Sequence, residues 1–95
     1  MNILITGVAG FIGFSVAKHF LDKNYYVYGV DNLDNYYSIL LKKKRLKILK
    51  NFKKFKFKKI DLKENSKLKK IFDKNKFEIV LHFAAQAGVR YSKKN

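Results

Sequence analysis

Apolar residues in this chain fall into short blocks separated by polar ones, and the blocks alternate between two periods. Asn2–Thr6 (NILIT) is almost wholly apolar and short, as a buried strand is. Phe11–Lys23 (FIGFSVAKHFLDK) then sets Phe11, Ile12, Val16, Ala17, Phe20 and Leu21 at helical spacing. Tyr26–Val30 (YVYGV), closed by Asp31, is rich in aromatic and β-branched residues and predicts a second strand. Beyond the polar stretch DNLDNYYS, Ser38 is a candidate N-cap for a helix over Ile39–Lys50 whose apolar positions include Leu40, Leu41, Leu46 and Leu49. Lys54–Asp61 (KFKFKKID) alternates, the pattern of an edge strand with one wet face, and its lysines discourage pairing with other chains. Asn65–Lys74 carries Leu68, Ile71 and Phe72 at helical spacing behind a candidate cap, and Glu78–Ala84 (EIVLHFA) predicts a buried strand. The order β-α-β-α-β-α-β predicts an α/β fold, with a parallel sheet of about four strands joined by right-handed crossover helices.

Three of the five glycines stand together in GVAGFIG, directly behind the first strand. In a nucleotide-binding βαβ unit that loop must turn sharply. Gly7 permits backbone angles a side chain forbids, Gly10 lets the main chain approach a diphosphate, and Gly13 allows the helix to pack closely on the strand. The helix start then aims free N–H groups at phosphate, with backbone hydrogen bonds outweighing a dipole contribution of about 0.3–1 kcal/mol. A glycine triplet alone equally describes a tight turn with a helix-packing residue. Asp31 adds context: eighteen residues after Gly13, at the end of the second strand, it stands where a carboxylate meets adenosine ribose hydroxyls, and an acid there favours NAD over NADP.

Composition narrows the setting. Ninety-five residues make one small domain with a modest core. The absence of cysteine excludes disulfides and thiolate metal sites and fits a reducing compartment, the cytoplasm. Ile3–Ala17 is apolar, but no Lys or Arg precedes it and it is too short to span a bilayer, so no membrane or secretory role is expected. The net charge is +15, and eleven of the eighteen residues in KKKRLKILKNFKKFKFKK are basic. That suits a polyanion. Lysine nevertheless outnumbers arginine twenty to two, and frequent Asn, Ile, Phe and Tyr point to AT-rich codon bias in place of a specific nucleic-acid site. Phe52, Phe55 and Phe57, which imitate a base-stacking platform, are better explained as core-facing strand residues.

The motifs TGVAGFIG, DNLDNYYS and HFAAQAGVRYS, in this order and spacing, resemble the N-terminal part of the extended short-chain dehydrogenase/reductase family, and more narrowly its UDP-glucuronate 4-epimerases. The resemblance covers essentially the whole chain and implies a partial Rossmann fold, residues 1–95 being the N-terminal part of an NAD-binding domain truncated before its second half. It implies that Gly7, Ala9, Gly10, Phe11, Ile12 and Gly13 line the diphosphate turn, that Asp31 and Asn32 hold the adenosine ribose, and that Asp61 and Leu62 meet the adenine. Ala84, Ala85 and Gln86 would pass beside the cofactor, and Arg90 would face the sugar nucleotide and pair with its carboxylate or a phosphate. His82 stands evenly between a packed core residue and a cofactor contact. Tyr36 and Tyr37 are expected to pack near the adenosine side.

The family's reaction oxidises C4 of the sugar by hydride transfer to NAD and returns the hydride to the other face, with a tyrosine assisted by a lysine four residues on. Four residues after the tyrosines at 25, 26, 28, 36, 37 and 91 stand Gly29, Val30, Asn32, Leu40, Leu41 and Asn95, so this chain carries no such catalytic pair. In the strand order 3-2-1-4-5-6 the fourth strand is interior, and a chain ending at Asn95 leaves it an open edge. The expectation is therefore the cofactor half of an epimerase acting on a UDP-sugar, completed by a C-terminal half or a homodimer partner. Alternatives are another nucleotide-sugar epimerase, a 4,6-dehydratase or a reductase, and, from other classes, a basic nucleic-acid-binding module or a non-functional remnant.

Overall fold

The computed structural model describes residues 1–33, 39–61 and 63–83. Its elements are β1 (Asn2–Thr6), α1 (Phe11–Asp22), β2 (Tyr26–Asp31), α2 (Ile39–Leu49), β3 (Phe55–Lys59), α3 (Asn65–Lys74) and β4 (Ile79–His82). Among the described residues the strands form one parallel sheet in the order β3-β2-β1-β4. This is the partial Rossmann arrangement expected from the sequence, with the chain switching direction across the sheet between β1 and β4.

Strand alternation sorts the core into two layers. Ile3 and Ile5 of β1, with Val27 of β2 and Phe55 of β3, pack under Ala17 and Leu21 of α1 and Leu46 and Leu49 of α2. On the other face Leu4 and Val30 meet Ile60 and Ile71, the latter from α3, with Tyr28 and Phe77 alongside. β3 is an outer strand, as its alternation predicts: Phe55 is buried while Lys56 and Lys58 are exposed.

At the C-terminal end of α1 the Asn24 and Tyr25 N–H groups return to the Leu21 and Phe20 carbonyls. Asn24 takes φ 72° there, a left-handed position that asparagine tolerates well. Glu64 stands at the N-cap of α3, and its carboxylate accepts the Asp61 N–H at 3.0 Å. That bond, with Lys67 beside it, holds the Glu64 carboxyl below its ordinary range.

Two expectations need correction. The Glu78–Ala84 strand is not wholly buried: β4 is the outer strand beside β1, and Val80 is 47% exposed. Its ladder still runs from the Glu78 N–H on the Asn2 carbonyl to the Phe83 N–H on the Thr6 carbonyl. In α2, Leu40 and Leu41 point outward, and the buried positions are Lys42, Leu46 and Leu49. Lys42 joins two leucines on the inner face, where it meets the buried Asp31 carboxylate.

Candidate functional site

Backbone hydrogen bonds shape the turn between β1 and α1. Both the Gly7 and Val8 N–H groups donate to the Val30 carbonyl, at 2.9 and 3.2 Å, tying the turn to the end of β2. The Gly10 N–H returns to the Gly7 carbonyl at 3.0 Å. Gly7 sits at φ 71°, where a Cβ is disfavoured. Gly10 is the N-cap of α1 and carries no side-chain cap, so the first N–H groups of α1 have no partner within the helix.

Each glycine has a separate cause. A Cβ on Gly13 would lie 2.1 Å from the Gly7 carbonyl oxygen, so this residue makes room for the turn itself more than for the strand behind it. A Cβ on Gly10 would meet only that oxygen, at 3.3 Å, and otherwise open space. Gly29, inside β2, was not singled out in the sequence, yet a Cβ there would come within 2.7 Å of the buried Val8 side chain. A glycine within a strand pattern is the signal that could have found it, because it marks close approach of another segment.

Asp31 terminates β2 and is 5% exposed. Its Oδ2 accepts the Ala9 N–H at 2.9 Å, and its Oδ1 accepts the Leu33 N–H at 2.8 Å. Leu33 holds φ 55°, an unusual conformation for a bulky residue, and the bond to Asp31 maintains it. Lys42 of α2 brings its Nζ to 3.6 Å from Oδ1, both side chains being almost fully buried. The carboxylate is thus turned onto the turn's own backbone and a lysine. Three residues further along α2, the Arg45 Nη1 donates to the Ala9 carbonyl at 3.0 Å, and its guanidinium stands 5.9 Å from the centre of the Phe11 ring. Lys42 and Arg45 were missed in the sequence, where they vanish into a run of basic residues.

Phe11 and Ile12, expected on the helical apolar set, are exposed at the start of α1, beside the turn. Asn32 is half-buried next to Asp31. Asp61 lies at the end of β3, joined to β2 by the Ile60 N–H on the Asp31 carbonyl; its Oδ1 accepts the Lys63 N–H at 3.0 Å. At the end of β4, His82 Nδ1 sits 2.5 Å from the Thr6 hydroxyl, which also accepts the Phe83 N–H. Partial burial holds the imidazole below its usual pKa, favouring the neutral ring. Leu62, Ala84, Ala85, Gln86 and Arg90, like Tyr36 and Tyr37, lie outside the described residues.

Gly7, Ala9, Gly10, Gly13 and Asp31 therefore meet at one place, the carboxyl ends of β1 and β2, where open α/β sheets bind ligands. Residues 4–95 match the model of a family described as GDP-mannose 4,6 dehydratase. The chain is 47% identical over 97% of its length to a UDP-glucuronate 4-epimerase of Thermodesulfobacterium geofontis, and 43% identical over its whole length to a probable UDP-glucuronate 4-epimerase of Rhizobium meliloti; it covers 28% of each. The crystal structure of UDP-glucuronic acid 4-epimerase from Bacillus cereus with UDP-glucuronic acid and NAD superposes with a TM-score of 0.79 at 32% identity, over 98% of this chain and 30% of that one. A dTDP-glucose 4,6-dehydratase from Bacillus anthracis in complex with NAD gives a TM-score of 0.74 at 26% identity, over 92% and 27%. The chain spans less than a third of the length of these relatives.

Proposed function

The chain belongs to the GDP-mannose 4,6 dehydratase family, and from that premise we propose that residues 1–95 are the NAD-binding N-terminal part of an enzyme that inverts C4 of a UDP-sugar, as a UDP-glucuronate 4-epimerase does. The observation that carries this reading is the glycine turn held to Asp31 through Ala9, because it fixes bare backbone at the mouth of an uncapped helix. The residues fit a dinucleotide: the space at Gly10 is what a Cβ would fill, and the N–H groups at the start of α1 are donors for a diphosphate.

In this reading Gly7, Ala9, Gly10 and Gly13 shape the cradle, and the main chain of Phe11 and Ile12 donates to phosphate. Asp31 and Asn32 serve the adenosine ribose, Asp31 through whatever acceptor capacity Ala9, Leu33 and Lys42 leave it. Asp61 and Leu62 flank the adenine; Ala84, Ala85 and Gln86 run beside the cofactor; Arg90 faces the sugar nucleotide. NAD, when bound, takes up and returns the hydride of the reacting carbon. The chain's own residues bind and orient, and proton transfer at the sugar belongs to residues it does not contain. A cytoplasmic setting suits the cysteine-free sequence; among the described residues no helix is long and apolar enough to cross a membrane. The Bacillus anthracis neighbour favours a 4,6-dehydratase as the second reading.

Calorimetric titration of NAD into the purified chain, folded by circular dichroism, tests the reading. One nucleotide bound per chain is expected. A folded chain that takes up no NAD would sink it.

A further inference from the structure

We propose that Arg45 is a positioning residue for the dinucleotide diphosphate, acting through the glycine turn and not on the phosphates themselves. The inference rests on the nucleotide reading of that turn and extends it to a residue on α2. Ala9 is fixed through both of its polar backbone atoms: the N–H donates to Asp31 Oδ2 at 2.9 Å and the carbonyl accepts from Arg45 Nη1 at 3.0 Å.

Peptide groups are planar, so holding one end of each sets the other. The Ala9 carbonyl and the Gly10 N–H share one peptide plane, and the second of these is itself bonded to the Gly7 carbonyl at 3.0 Å. With Arg45 on one end and Gly7 on the other, that plane has no freedom to rotate. The next planes along the chain carry the N–H groups of Phe11 and Ile12, the donors a diphosphate would use. Their direction follows from the plane that Arg45 holds together with the dihedral angles of Gly10 (φ −75°, ψ 171°) and the helical residues after it.

The guanidinium makes a second contact, standing over the exposed Phe11 ring. A planar fork can donate along its edge and stack on its face at once, whereas an ammonium is a point charge on a flexible stem. Lys42, on the same helix, ion-pairs with Asp31, so α2 reaches the partners of Ala9 on both sides. A turn fixed before the ligand arrives spares the ordering that binding would otherwise have to pay for.

Three readouts on the 95-residue chain, on Arg45→Ala and on Arg45→Lys test the assignment: NAD affinity at two salt concentrations, the thermal midpoint, and hydrogen exchange of the Gly10 amide without nucleotide. Both variants are expected to bind NAD about tenfold or more weakly, about 1.4 kcal/mol. The salt dependence should match the parent's, Arg45→Lys should melt close to the parent, and Gly10 should exchange faster in both variants. If Arg45→Lys restores affinity while Arg45→Ala loses salt sensitivity, the residue acts by charge on the phosphates and the proposal is overturned. Unchanged affinity, or unchanged Gly10 exchange, overturns it as well. If the parent itself binds no NAD, the nucleotide reading fails and the diphosphate role falls with it; the exchange data then show separately whether the clamp on Ala9 exists.

Discussion

Gly13→Ala is expected to lower the thermal unfolding midpoint by about 12 °C or more, the largest stability effect of any single methyl group added to the turn. Helix propensity argues the other way, since alanine is favoured over glycine in a helix interior by about 1 kcal/mol. The clash decides the sign. The new Cβ would stand 2.1 Å from the Gly7 carbonyl oxygen and 2.9 Å from its carbon, both backbone atoms that no rotamer change can move. Overpacking of this kind costs about 1–3 kcal/mol where side chains can shift, and a backbone obstacle puts it at the upper end or beyond. Gly10→Ala is the control, because its Cβ meets a single atom at 3.3 Å and its φ of −75° suits any residue. That variant should melt near the parent and bind NAD about tenfold or more weakly, separating space reserved for the fold from space reserved for the ligand. Thermal melts by circular dichroism and calorimetry on the two variants check both halves; a Gly13→Ala chain that melts with the parent refutes the first.

Asp31→Ala should destabilise the chain by about 3–5 kcal/mol, the range seen when one partner of a buried ion pair is removed. The substitution takes an acceptor from three groups at once: the Ala9 N–H, the Leu33 N–H and the buried Lys42 ammonium. Part of the loss comes from the broken ion pair with the buried Lys42, so it should be partly recovered by removing that charge too. Asp31→Ala combined with Lys42→Met is expected to be more stable than Asp31→Ala alone, by chemical denaturation. A double variant no more stable than the single one would show that the carboxylate serves the backbone donors alone. Loss of NAD binding in Asp31→Ala is accordingly no clean measure of a ribose contact, since the same carboxylate holds the turn.

The architecture was legible because each element has its own period. Strand and helix bounds agree within a residue or two at β1, α1, β2, α2 and α3, where glycine, asparagine or a charged residue punctuates the pattern. β4 was placed correctly but taken as buried, because an apolar run specifies what a strand prefers and says nothing of which neighbours it has. The glycine turn was legible as a motif, and its grouping with Asp31 followed from the spacing. Arg45 and Lys42 were not. Counting apolar residues gives Leu40 and Leu41 the same weight as Leu46 and Leu49, whereas the helix faces inward through Lys42, which ion-pairs with the buried Asp31. Periodicity weighs hydrophobicity alone, and it cannot distinguish one lysine called inward from the exposed lysines around it. Gly29 was hidden likewise, since its reason is Val8, more than twenty residues away in sequence.

Amide chemical-shift mapping of NAD on the isotopically labelled 95-residue chain bears most directly on the central claim, that the glycine turn carries the dinucleotide. The account predicts shifts concentrated at Gly7 to Gly13 and at Asp31 and Asn32, with Phe11 and Ile12 among the largest. Shifts spread over the lysines of residues 42–59, fading as salt rises, would mean that the chain attracts anions by charge alone and would contradict it.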